Sequence, residues 1–75
     1  MDKKNYSAPA LDKGLDILEL LAVSSRGLTQ AEIAEHLNKS VNEIYRMLNT
    51  LKVRNYLEFD ASTDSYKLSY KLLNL

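Results

Sequence analysis

The sequence has no cysteine and no tryptophan, and its 75 residues include one proline, two glycines and one histidine. Without cysteine, neither a disulfide nor a thiolate metal site can hold a small fold together. A chain this short buries only about 60% of the surface its unfolded form exposes, so the apolar core has to be compact. Pro9, Gly14 and Gly27 are the only strong breakers, which leaves few long loops. No apolar run approaches the ~18 residues needed to cross a bilayer. Lys3 and Lys4 have no apolar run behind them, so the N-terminus does not read as a secretory signal, and a cytoplasmic, reducing location is expected. His36 has no Cys, second His or carboxylate pair at ligand spacing. A Gly-rich phosphate loop, a nucleophile elbow and an H-E-x-x-H motif are all missing, so no enzyme, metal or cofactor is expected. An excess of one charge is also lacking: ten Lys and Arg stand against ten Asp and Glu. Taken whole, that balance argues against nucleic acid as a partner.

What is present is periodicity. Residues 1–9 read as a flexible N-terminal arm, with Pro9 where a first helix can begin. Leu11, Leu15, Leu18, Leu21 and Ala22 then form a helical stripe that Ile17 and Leu20 widen, serving as core or as a dimer seam. Thr29-Gln30-Ala31-Glu32 is a capping box, and Leu28 before it can staple onto Ile33. A short second helix ends at Asn38, a residue that tolerates the left-handed conformation of a helix stop. Ser40-Val41-Asn42-Glu43 is a second capping box, two residues after that stop. The third helix gathers Val41, Ile44, Met47, Leu48 and Leu51 into one apolar arc and stops near Asn55.

The period then changes to two. Leu57 and Phe59 alternate with polar residues, residues 61–65 are turn chemistry, and Tyr66, Leu68 and Tyr70 alternate again. Helix, helix, tight turn, helix, hairpin is the order of a winged helix-turn-helix. The expected class is therefore mainly α with a small two-stranded wing.

These residues resemble the N-terminal DNA-binding domain of the IclR-type transcriptional regulators. Residues 11–21 are similar to that family's opening helix, and Leu28-Thr29-Gln30-Ala31-Glu32-Ile33-Ala34 to its second. Tyr45-Arg46-Met47-Leu48-Asn49-Thr50-Leu51 resembles its recognition helix, and Tyr56-Leu57 with Tyr66-Lys67-Leu68-Ser69 its wing. Residues 71–75 resemble the start of its linker helix, so the resemblance covers about nine-tenths of the chain. It implies a winged domain over residues 10–70, a homodimer, double-stranded DNA with a palindromic operator, and a small-molecule effector bound by a C-terminal domain outside these residues. Two departures stand out. Asn55 occupies a position where the family usually has Gly, a benign change because both tolerate positive φ. Val41 and Glu43 take away a usual positive charge at the recognition helix and add a negative one.

Opposite its apolar arc, the third helix carries Asn42, Arg46 and Asn49, with Tyr45 on one flank. Asn can pair with the adenine edge and Arg with guanine, whereas Tyr45 can meet a thymine methyl or a phosphate. A plain solvated helix face has the same polar character. Ser40 can act as a cap alone or also bring the helix N-terminus to a phosphate, whereas Thr29 reads as a cap. Lys52 and Arg54 are expected on the DNA backbone, Lys67 is the best wing contact, and Lys3 and Lys4 can follow a groove. A protein-binding winged module remains open beside this reading, favoured by Glu43 and the zero charge. That zero is itself a cancellation: residues 1–36 hold four cations and six anions, and residues 37–75 six cations and four anions.

Overall fold

A computed structural model describes residues 8–75; the arm lysines Lys3 and Lys4 lie outside them. Three helices, α1 (Pro9–Val23), α2 (Gln30–Leu37) and α3 (Val41–Val53), combine with strands β1 (Leu28–Thr29), β2 (Leu57–Asp60) and β3 (Ser65–Leu68). A 3₁₀ turn, Tyr70–Asn74, follows. Pro9 is the first residue of α1, where its missing N–H costs no intrahelical bond.

Both capping boxes form. Thr29 Oγ1 accepts from the Glu32 N–H at 3.1 Å while Glu32 Oε1 accepts from the Thr29 N–H at 2.9 Å. Ser40 and Glu43 repeat the exchange at 3.2 and 3.4 Å. Both helix stops are Schellman motifs around a left-handed asparagine. At Asn38 (φ 56°) the Lys39 N–H donates to Ala34 O and the Asn38 N–H to Glu35 O. At Asn55 (φ 70°) the Tyr56 N–H donates to Leu51 O and the Asn55 N–H to Lys52 O. The chain therefore leaves α2 and enters α3 within residues 38–40. Gln30 Nε2 donates to Val41 O at 3.2 Å, tying the start of α2 to the start of α3.

Ile17, Ile33, Ile44 and Leu48 are fully buried, one or two from each helix, and Leu21, Leu28, Ala34, Leu57 and Tyr66 complete the core. The sheet has the order β1-β3-β2, antiparallel throughout, with Leu57 opposite Leu68 and Phe59 opposite Tyr66. Those four residues share the sheet face that carries the buried Leu57 and Tyr66. Glu58, Asp60, Ser65 and Lys67 share the other. A third strand joins the expected hairpin because Leu28 and Thr29 pair with Tyr66 and Ser65. Two residues are too few to show alternation, and Thr29 is spent on its cap as well. Gly27 precedes this strand, and a Cβ there would stand 2.8 Å from Ser65 Oγ, so the close approach of β1 to β3 depends on the missing side chain.

The leucine stripe of α1 is rotated from the expected one. Leu11 and Leu15 are exposed, and the row that enters the core is Ile17 and Leu21, with Leu18 and Leu20 half-buried. Two apolar rows run along this helix, and the one buried in the core is that of Ile17 and Leu21. Val41 is likewise exposed, because the first turn of α3 projects beyond the core.

Arg26 and Glu32 fasten the loop before β1 to α2. Arg26 Nη2 reaches Glu32 Oε2 at 3.0 Å, and Arg26 Nη1 donates to Gly27 O at 2.9 Å. The Arg26 hydrogen bond and then the Thr29 N–H hold the Glu32 carboxyl at about 2, below its ordinary 4.5. A depressed folded-state value means stability that is present above about 4.5 and lost as pH falls toward about 2. Glu32→Gln keeps the cap but has nothing to protonate. Melting curves followed by circular dichroism should show wild type losing stability faster than the variant across that window. Parallel losses would remove the pair from the acid response.

Candidate nucleic-acid interface

Burial of Ile44 and Leu48 against the core dictates which face of α3 is left outside. Asn42, Tyr45, Arg46 and Asn49 all lie on that outer side and all are exposed. Their spacing of three and four residues puts Asn42, Arg46 and Asn49 in one row along the helix. Among the described residues, no hydrogen bond or ion pair engages the side chains of these three. Their donors and acceptors stay available, as a base-reading surface requires. Thr50 is different: its hydroxyl bonds back to Arg46 O at 3.1 Å and is spent within the helix.

Tyr45 is exposed on one flank of α3. Burial, and then the charges of Asp64 in the wing turn and of Tyr45, raise the Tyr66 hydroxyl above its ordinary value. The turn is built by Asp60, whose Oδ1 accepts from the Ser62 N–H at 2.9 Å and from its hydroxyl at 2.6 Å. Asp64 closes it in the left-handed region (φ 57°).

The remaining expected contacts are spread out. Ser40 is at the N-terminus of α3, with its oxygen committed to the Glu43 N–H and its hydroxyl 3.3 Å from Glu43 Oε1. Lys52, in the last turn of α3, lies with Nζ 5.3 Å from the Phe59 ring centroid, so a cation–π contact joins helix and wing. Lys67 lies on the opposite sheet face from Phe59, with Nζ 3.8 Å from Glu58 Oε1. The structure thus gathers Ser40, Asn42, Tyr45, Arg46, Asn49 and Lys52 on one helix and holds Lys67 apart. Arg54 is exposed just past α3, and its carbonyl accepts from Lys71 Nζ at 2.9 Å.

One residue of this region is absent from the sequence reading. Lys13 Nζ is 2.6 Å from Glu43 Oε2, joining α1 to the first turn of α3. Thirty residues separate the two, so no local spacing signals the pair. Its one trace is that Lys13 lies four residues before Ile17, on the row of α1 that turns inward.

Three helices with a three-stranded wing, an outward polar row on the second helix of a tight helix-turn-helix, and capped N-termini on both of its helices define a class. This is a winged helix-turn-helix of the transcription-regulator type. The chain belongs to the family of the IclR helix-turn-helix domain, whose model matches residues 10–61. The HTH-type transcriptional regulator BhcR of Paracoccus denitrificans is 47% identical over 57 residues, covering 76% of this chain and 20% of that protein. An IclR transcriptional regulator from Alicyclobacillus acidocaldarius superposes with a TM-score of 0.87 at 28% identity, over 92% of this chain and 28% of that one. An IclR family regulator from Brucella abortus does so with a TM-score of 0.82 at 27% identity, over 99% of this chain and 27% of that one. The chain therefore spans about a fifth to a quarter of the length of these relatives. The relatives are transcriptional regulators, not enzymes, and the function of the class is DNA binding; a winged module that binds only protein is not favoured. Among the described residues no helix is long and apolar enough to cross a membrane.

Proposed function

We propose that this domain binds double-stranded DNA sequence-specifically by laying α3 in the major groove. The observation that carries this reading is the exposed row of Asn42, Arg46 and Asn49, unpartnered among the described residues, directly opposite the fully buried Ile44 and Leu48. Asn42, Arg46 and Asn49 face base edges, with Tyr45 on one flank. Ser40 and Lys52 sit at the two ends of α3, where the groove walls bring phosphates close, and they position the helix rather than specify sequence. Lys67, on the far face of the wing, contacts backbone outside the groove that α3 fills.

A single small module covers only about 600–1,000 Å² on DNA, so useful affinity calls for a homodimer and hence a palindromic operator. A small-molecule effector would act through a part of the protein outside this chain. Action on DNA is consistent with a cytoplasmic location. Selection of bound duplexes from a random-sequence pool tests the reading. Enrichment of one motif, repeated in inverted orientation, is the expected result. A pool that stays at its starting composition would overturn it.

A further inference from the structure

Glu43 presents a conflict that the geometry resolves. It lies three residues before Arg46, and side chains three apart on a helix are neighbours, with Cβ atoms about 5–6 Å apart. A carboxylate in that place has two ways to harm DNA binding. It can draw the Arg46 guanidinium into a local ion pair, or it can repel an approaching phosphate. The first is not seen: among the described residues Arg46 forms no ion pair. Both oxygens of Glu43 are engaged by other partners. Oε2 is 2.6 Å from Lys13 Nζ, and Oε1 accepts from the Ser40 N–H at 3.4 Å. Lys13 is the less exposed partner, at 28% against 41% for Glu43, so α1 supports the pair from beneath.

We propose that Lys13 is a positioning residue for DNA binding: it holds the Glu43 carboxylate against α1, leaving Arg46 unpaired and the face toward DNA free of a loose anion. The inference rests on the DNA-binding reading above. Lys13 does not touch DNA in this account, and it acts only through Glu43. The Lys13 hydrogen bond also pulls the Glu43 carboxyl below its ordinary value.

The mechanism can be separated from simple structural support, because Gln at the third position of a helix preserves a capping box without the charge. The test measures anisotropy of a labelled duplex taken from the random-pool selection, titrated with wild type, Lys13→Met, Glu43→Gln and the double variant. Each is held at a temperature where circular dichroism shows it folded. Lys13→Met is expected to weaken binding about fivefold, the scale of one uncompensated charge near a surface. Glu43→Gln should bind at least as tightly as wild type, and the double variant should return to wild-type affinity. A pair that merely braces α1 against α3 predicts the opposite: Glu43→Gln weakens binding as much as Lys13→Met, and the double variant stays weak. A Lys13 that contacts phosphate directly predicts no rescue and a salt slope smaller by about one. Either pattern overturns the inference while leaving the DNA-binding reading intact. Failure of the wild-type chain to bind overturns both.

Discussion

Leu48→Ala will melt this domain about 8 °C or more below wild type, the estimate following from about 2 kcal/mol or more for a buried leucine truncated in a core and about 4–8 °C per kcal/mol in a chain of this size. Leu48 is fully buried in the middle of α3, and the cluster around it, Ile17, Ile33 and Ile44, comes from all three helices. No single neighbour can shift to fill the space without disturbing the other two. A chain of 75 residues has a total stability of only roughly 4–11 kcal/mol, so the loss is a large share of the whole. Val53→Ala is the control, since Val53 lies on the same helix with 69% of its surface exposed, and it should change stability by less than about 0.5 kcal/mol. The comparison bears on function as well as on folding. The same rotation of α3 that buries Leu48 turns Arg46 and Asn49 outward. If Leu48→Ala and Val53→Ala melted alike, the orientation of the reading row would be wrong.

The parts of the fold legible in the sequence are those governed by local chemistry. Thr29 with Glu32 and Ser40 with Glu43 announce helix starts because each box is completed within four residues. Asn38 and Asn55 announce stops because few other residue types accept positive φ. The outward row of α3 was legible for the same reason: Ile44, Leu48 and Leu51 form one arc, and a single arc leaves only one opposite face. In α1 periodicity points to a stripe through Leu11, Leu15, Leu18 and Leu21, yet the structure buries Ile17 with Leu21 and leaves Leu11 and Leu15 exposed. The choice belongs to the surface on which the helix rests. The same limit hid β1, whose two residues acquire strand character only by pairing with Ser65 and Tyr66. It also hid the Lys13–Glu43 pair, which exists because α1 crosses the start of α3.

The zero net charge looks different once the charges have places. Three anions that depress the total are bound locally: Glu32 by Arg26, Glu43 by Lys13 and Glu58 beside Lys67. Arg46 is an exposed cation on the outer row, and Lys52 and Arg54 extend the positive charge along and just past the end of α3. A domain with a local rather than a global positive field attracts DNA weakly at long range. Its discrimination must then come from contacts made after the helix has entered the groove.

Arg46→Ala is therefore expected to cost more in recognition than any other single change on the surface of α3. A bidentate arginine–guanine pair contributes about 1–3 kcal/mol of discrimination, so affinity for a selected duplex should fall about 5-fold to about 150-fold. The fold should not change, because the side chain is exposed and Arg46 contributes only its carbonyl to the Thr50 hydrogen bond. Two readouts distinguish what Arg46 does. As a base reader, its loss relaxes preference at one position of the motif and leaves the salt slope nearly unchanged. As a phosphate ligand, its loss weakens all duplexes alike and lowers the slope by about one. Specificity profiling of wild type and variant on a panel of single-base substitutions, repeated at two salt concentrations, gives both. Equal binding by wild type and variant across that panel would remove Arg46 from the interface. Lys13 adds a condition to this result. In Lys13→Met, where Glu43 is free to pair with Arg46, the further loss on Arg46→Ala should shrink, because part of the contact is already gone. A full-sized loss in that background would mean that Glu43 never competes for the guanidinium and that its effect reaches DNA by repulsion alone.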